Sequence, residues 1–159
     1  MTSPYNRSNI TICPIYYEDT DFTGYVYHAN YLKFFERARE HLIGIQKLRE
    51  LYANNLHFVV SEININYRQP AGHGDFLAIT TDLISSLGAK LKLDQQAWRI
   101  DEKVAHKLHN DSSTADQQQL ESLKNRDSLI CNAEIKIVAV NEFGRPRKLT
   151  PADLAPFNA

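Results

Sequence analysis

One stretch of this chain repeats with the period of a helix, while the stretches around it repeat with the period of a strand. Tyr31, Phe34, Phe35, Ala38, Leu42, Ile45, Leu48 and Tyr52 fall at three- and four-residue steps, so they share one helical face. Asn30 is the expected N-cap. A helix of roughly twenty residues spans about 30 Å. Gly44 interrupts its good formers, at a cost of about 1 kcal/mol relative to Ala, and permits a close backbone crossing there. A single apolar helical face has to be buried, and no second helix of similar quality is in the sequence to bury it. The cover must come from strands. Ile10 to Tyr17, Phe58 to Arg68, Phe76 to Ile84, Leu91 to Ile100 and Leu129 to Val140 supply them, rich in β-branched and aromatic residues. Most are joined by short turns such as QPAGHGD and SSLGAK, which favours antiparallel pairing. The expected architecture is α+β: a curved five-stranded antiparallel sheet wrapped round one long helix.

Details refine the strands. Pro14 puts the first at an edge or a bulge. In Phe58 to Arg68, Ile63, Ile65 and Tyr67 alternate with Glu62, Asn64, Asn66 and Arg68, the mark of a half-buried strand. The apolar phase of Leu91 to Ile100 slips between Leu93 and Trp98, which predicts a β-bulge. Between the last two strands lies a polar, Gln- and Ser-bearing segment from Asp101 to Asp127, long for a hairpin connection. It reads as an insertion at about 101–127 in a single domain spanning 1–159, mobile or weakly helical near Gln119 to Lys124.

The 159 residues suffice for a core without staples. Eighteen basic against nineteen acidic residues give a net charge of −1, which argues against a broad nucleic-acid surface and leaves room for a small phosphate grip. Two cysteines, Cys13 and Cys131, form no C-x-x-C and no disulfide framework. No apolar run approaches a membrane span, and the N-terminus lacks the apolar region of a secretory signal. A reduced, cytoplasmic setting is expected, and the N-x-S/T triplets at Asn6, Asn9 and Asn110 are read as chance.

The chemistry concentrates in Glu18 to Tyr31, EDTDFTGYVYHANY. A helix start presents unpaired backbone N–H groups and the positive end of the dipole. A carboxylate in the loop just ahead can face them. Taken alone, Asp19 and Asp21 also fit a loop or capping role, as such residues commonly do. Gly24 allows a turn or a close ligand approach.

The run strand–D-x-D-x-x-G-x-V-x-H-x-x-Y–helix resembles the hotdog-fold acyl-CoA thioesterases of the 4-hydroxybenzoyl-CoA thioesterase type, and most closely the bacterial members associated with the Tol–Pal gene cluster. Tyr16-Tyr17-Glu18-Asp19-Thr20-Asp21, Gly24, Val26, His28, Tyr31 and Phe35-Glu36-Arg37-Ala38-Arg39 carry the likeness, with Tyr67-x-x-Pro70-Ala71-x-x-x-Asp75 as a weaker second motif. The order of strands fits nearly throughout; the 101–127 insertion looks longer than the family's hairpin. The resemblance implies Asp21 as the catalytic carboxylate and the His28 backbone N–H as donor to the thioester carbonyl. It also implies dimers whose sheets join, often paired into homotetramers, with active sites at the subunit interface.

Thioester hydrolysis needs an attacking oxygen and an oxyanion donor. Asp21 supplies the first as general base or as nucleophile; the helix start supplies the second. Asp19 is left structural. The His28 side chain stays open between proton work, substrate contact and packing. Arg68, Arg145, Arg147 and Lys148 are candidates for the phosphates of coenzyme A, though the GRPRK segment fits a solvated tail equally well. The acyl group is placed near Tyr27, Tyr31 and Phe34, with Phe34 read first as core. Ser61 lacks a positioned base, and His106-x-x-His109 lacks further metal ligands; no metal and no separate cofactor are expected. The leading expectation is an acyl-CoA thioesterase acting on a CoA or acyl-carrier thioester. The alternatives are a non-catalytic acyl-CoA or acyl-carrier binding module, and a hotdog dehydratase, which the Asp-before-His order disfavours.

Overall fold

A computed structural model describes residues 10–110, 122 and 124–157. Its strands are β1 (Ile10–Pro14), β2 (His57–Tyr67), β3 (Phe76–Leu87), β4 (Lys90–Ile100) and β5 (Leu129–Val140). Its helices are α1 (Asn30–Ile43), α2 (Ile45–Ala53), α3 (Glu102–Asn110) and a short α4 (Pro151–Leu154). The strands form one sheet of order β1-β3-β4-β5-β2, antiparallel throughout. The concave face holds α1, whose Phe34, Phe35, Ala38 and Leu42 are buried against Leu77, Ile79, Leu93 and Ile135. Burying one such large apolar side chain contributes about 1.5–3 kcal/mol. This is the expected hotdog architecture, an α+β fold.

The long helix is not continuous. Gly44 has φ +86° and ψ 138°, ends α1 and begins α2. Only glycine adopts that conformation without strain, so the residue read as a weak point inside one helix is instead the break between two. The helix also starts one residue early: Ala29 is the N-cap, and Asn30 lies inside, its Nδ2 donating to the Asp19 carbonyl at 2.9 Å. A buried polar network ties α1 to the sheet. Gln95, fully buried on β4, donates to the Phe35 carbonyl at 3.0 Å and to Thr81 Oγ1 at 2.7 Å, and accepts from Arg39 at 2.7 Å. Arg39 also pairs with Glu36.

The bulge predicted within β4 lies instead on its partner: β4 runs regularly, and the register shift at Ala97/Trp98 leaves Ile130 of β5 as the extra residue. Along β4, Leu93, Gln95 and Ala97 face the helix while Trp98 and Ile100 face the opposite side, so the apparent slip in the apolar phase reflects a second covered face. There the polar insertion, expected to be mobile or weakly helical only near Gln119 to Lys124, begins with a helix. Its residues Glu102–Asn110 form α3, and Val104, Ala105 and Leu108 pack over Ala78, Trp98 and Ile100 on the outer face. Those three apolar residues recur at helical spacing within a charged segment, a signal too sparse to stand out by composition. The helix expected near Gln119 to Lys124 lies largely outside the described residues, as do Asn6 and Asn9.

Candidate active site

The loop between β1 and α1 is built from its own backbone. Tyr17–Asp19 makes a 3-10 turn, and the Asp19 carboxylate accepts the Tyr16 N–H at 2.9 Å. The Asp19 carbonyl accepts both the Tyr27 N–H at 2.9 Å and the Asn30 side chain. Asp19 is buried and structural, as its sequence context suggested. Gly24, at φ +82°, closes the turn by donating to the Asp21 carbonyl at 3.0 Å. The weak second motif turns out to brace this loop. The Ala71 carbonyl accepts the Val26 N–H at 2.8 Å, Tyr25 bridges Gly72, and the Asp75 carboxylate accepts the Gly72 N–H at 2.9 Å.

Asp21 is exposed, and one oxygen is engaged. Oδ1 accepts from the Thr23 hydroxyl at 2.5 Å and the Thr23 N–H at 2.8 Å. Those two bonds, the hydroxyl's first, hold its carboxyl below the usual carboxylate range, with the charge of His28 adding a smaller pull. The group is therefore a carboxylate at neutral pH. Oδ2 accepts no hydrogen bond from any described residue.

His28 stands just ahead of α1. Among the described residues its N–H has no hydrogen-bond partner. Its carbonyl accepts the Tyr67 hydroxyl at 2.8 Å, and its ring packs on Tyr27 at 4.6 Å and Tyr67 at 6.3 Å. Tyr67 is the residue that sequence reading missed as a contributor here. The sequence marks it as an apolar-side strand residue and as the head of the weaker second motif, but nothing local signals a partner 39 positions away.

The other predicted residues scatter. Tyr27 is exposed beside His28, while Tyr31 is 3% exposed and Phe34 0%, so both belong to the core beneath it. Arg68 lies at the end of β2, its Nε donating to Asn132 at 3.3 Å. Arg145 and Lys148 are exposed beyond β5, and the Arg147 guanidinium bonds the Asn54 carbonyl at the end of α2. His106 stacks on Phe76 within α3's contact with the sheet. A cavity of about 280 Å³ opens between α1, α2 and β2, lined by Arg39, Ile43, Tyr52, Phe58, Val60 and Ile137 among others. It adjoins the His57 end of β2, whereas His28 adjoins the Tyr67 end.

The chain belongs to the thioesterase-like superfamily, whose family model matches residues 16–155. Among curated proteins it is 39% identical over 84 residues to the acyl-CoA thioester hydrolase YbgC of Escherichia coli O6:H1, covering 52% of this chain and 63% of that one. It is 41% identical over 88 residues to the acyl-CoA thioesterase YbgC of Haemophilus influenzae, covering 54% of this chain and 65% of that one. The chain thus matches somewhat under two thirds of the length of these relatives. Among solved structures, a probable thioesterase from Bartonella henselae superposes with a TM-score of 0.67 at 28% identity, over 89% of this chain and 98% of that one.

Proposed function

We propose that the protein hydrolyses an acyl-CoA, or an acyl-carrier thioester, to a free acid and a thiol. The observation that carries this is the unpartnered His28 N–H at the start of α1, on the same loop as an ionised Asp21 with one free oxygen. The thioester carbonyl oxygen accepts from that N–H, where the helix dipole favours the negative charge that develops. Asp21 Oδ2 either takes a proton from the attacking water or attacks the carbonyl itself, giving an anhydride that water opens. The C–S bond breaks, and the thiolate leaves as coenzyme A, which is part of the substrate rather than a cofactor. Gly24 keeps the approach open, and Tyr27 flanks it.

A single chain leaves this site open to solvent, and β2 is an eleven-residue edge strand paired on one side only. Such an edge is a template for a second copy. Two-fold pairing of β2 with itself is antiparallel and sets the Tyr67 end of one chain against the His57 end of the other. Within one chain, Val60 and Tyr67 are separated by about 24 Å of strand. Pairing therefore brings one chain's Asp21 and His28 beside the other's cavity, which receives the acyl group, and beside Arg145 and Lys148, which meet the phosphates. Arg68 borders the same mouth. A cytoplasmic setting suits the buried, free thiols of Cys13 and Cys131.

Thiol release from a panel of acyl-CoAs, read with DTNB, tests the reading. Asp21→Asn and Asp21→Ala are expected to lose about 100-fold or more. Absence of turnover on every acyl group, or full activity in both variants, would sink it. A second reading has its own observation. The bonds from Thr23 make Asp21 a competent turn residue, as in a non-catalytic acyl-CoA or acyl-carrier binding module. Calorimetric binding without thiol release identifies that case.

A further inference from the structure

The outer face of the sheet divides into two parts. Over β4, β5 and β2 it is polar and charge-paired, with Lys92 to Glu134 at 2.7 Å and Lys136 to Glu62 at 2.9 Å. Over β1, β3 and β4 it is apolar: Ala78, Trp98 and Ile100 are flanked by Ile12 and Phe76. Left bare, that strip would be a contiguous apolar patch, the kind that marks an association surface. It is not bare. Strand alternation alone puts Trp98 and Ile100 on the outer face, and α3 lies on them with Ala105 2% and Leu108 9% exposed. The side of α3 away from the sheet carries Glu102, Lys103 and Lys107, all exposed. The exposed side of α1 is equally charged, with Lys33, Arg37, Glu40 and His41. The β1 edge is closed as well: five residues ending in Pro14, packed against α3.

We propose that α3 is an intramolecular stop to assembly. It occupies the apolar strip of the outer face through which two sheets would pack back to back, so association runs through the β2 edge and ends at a two-fold pair rather than a tetramer. The inference rests on the β2 pairing proposed above, and the two fail differently.

Sedimentation equilibrium of the full chain over a wide concentration series reads the outcome. A mass of twice 18.2 kDa throughout is expected. A mass of one chain sinks the β2 pairing; a mass of four chains overturns the stop alone. The double variant Val104→Asp/Leu108→Asp lifts α3 from the sheet, and Trp98, the single tryptophan, reports it by a red-shifted emission. A red shift with species larger than two chains is expected. A red shift with the mass still at two chains, or no red shift at all, overturns the proposal. Should the variant fail to fold, the mass of the unaltered chain decides.

Discussion

At the scale of single residues, the state of Asp21 is set by its neighbour Thr23. The Thr23 hydroxyl bond is the largest influence holding that carboxyl below its ordinary value of 3.8. A depressed carboxyl stays ionised as pH falls, until its lowered pKa is reached. The acid limb of kcat/KM, which reports the free enzyme, therefore lies below the ordinary range. Thr23→Val removes the hydroxyl bond and should move that limb to higher pH, with little change at pH 7; Thr23→Ser should restore it. An acid limb indifferent to both would mean that Asp21 does not govern the reaction. Burial pushes the Cys13 thiol up to about 11 and the Cys131 thiol up to about 12, so neither is a ready nucleophile and neither competes in a DTNB assay on folded protein. The D-x-D run and the His28 position were legible in the sequence because they are local. Tyr67, Ala71 and Asp75 were not legible as supports of the loop, because their partners lie across the sheet.

At the scale of elements, the strands were read well and the helices less well, for one physical reason. Alternation with period two runs the length of β4, along β2 from Glu62 and along β5 from Cys131 to Ala139. The end of α1 depends on a backbone angle that no hydrophobic period encodes. Gly44 looks like a tolerated weak spot when scored by propensity, yet at φ +86° and ψ 138° it is required. Gly44→Ala should cost about 1–3 kcal/mol, seen as a lower urea midpoint at unchanged slope. A neutral or stabilising outcome would show that α1 and α2 merge into one helix without penalty. α3 was hidden by its setting: three apolar residues inside a polar stretch look like noise until Trp98 and Ile100 are known to face outward.

At the scale of the whole molecule, the proposed pairing divides the working parts between the two ends of β2, and a mixing experiment can detect that. Asp21→Asn disables one set of parts; Arg145→Glu/Lys148→Glu disables the other. In the paired assembly, a mixed dimer holds one wholly unaltered site. Equal mixing should therefore regain about a quarter of the unaltered activity from two feeble parents. No recovery would place the cations and the carboxylate in the same chain's site, or the cations outside it. The openness of the loop around Asp21 has a further consequence. On the proposed pairing, a freshly made chain, or one diluted far enough to stand alone, should carry every reactive group and yet be silent. At extreme dilution, output should climb with the square of the amount of protein present, which would make meeting a twin the last step of the protein's own maturation.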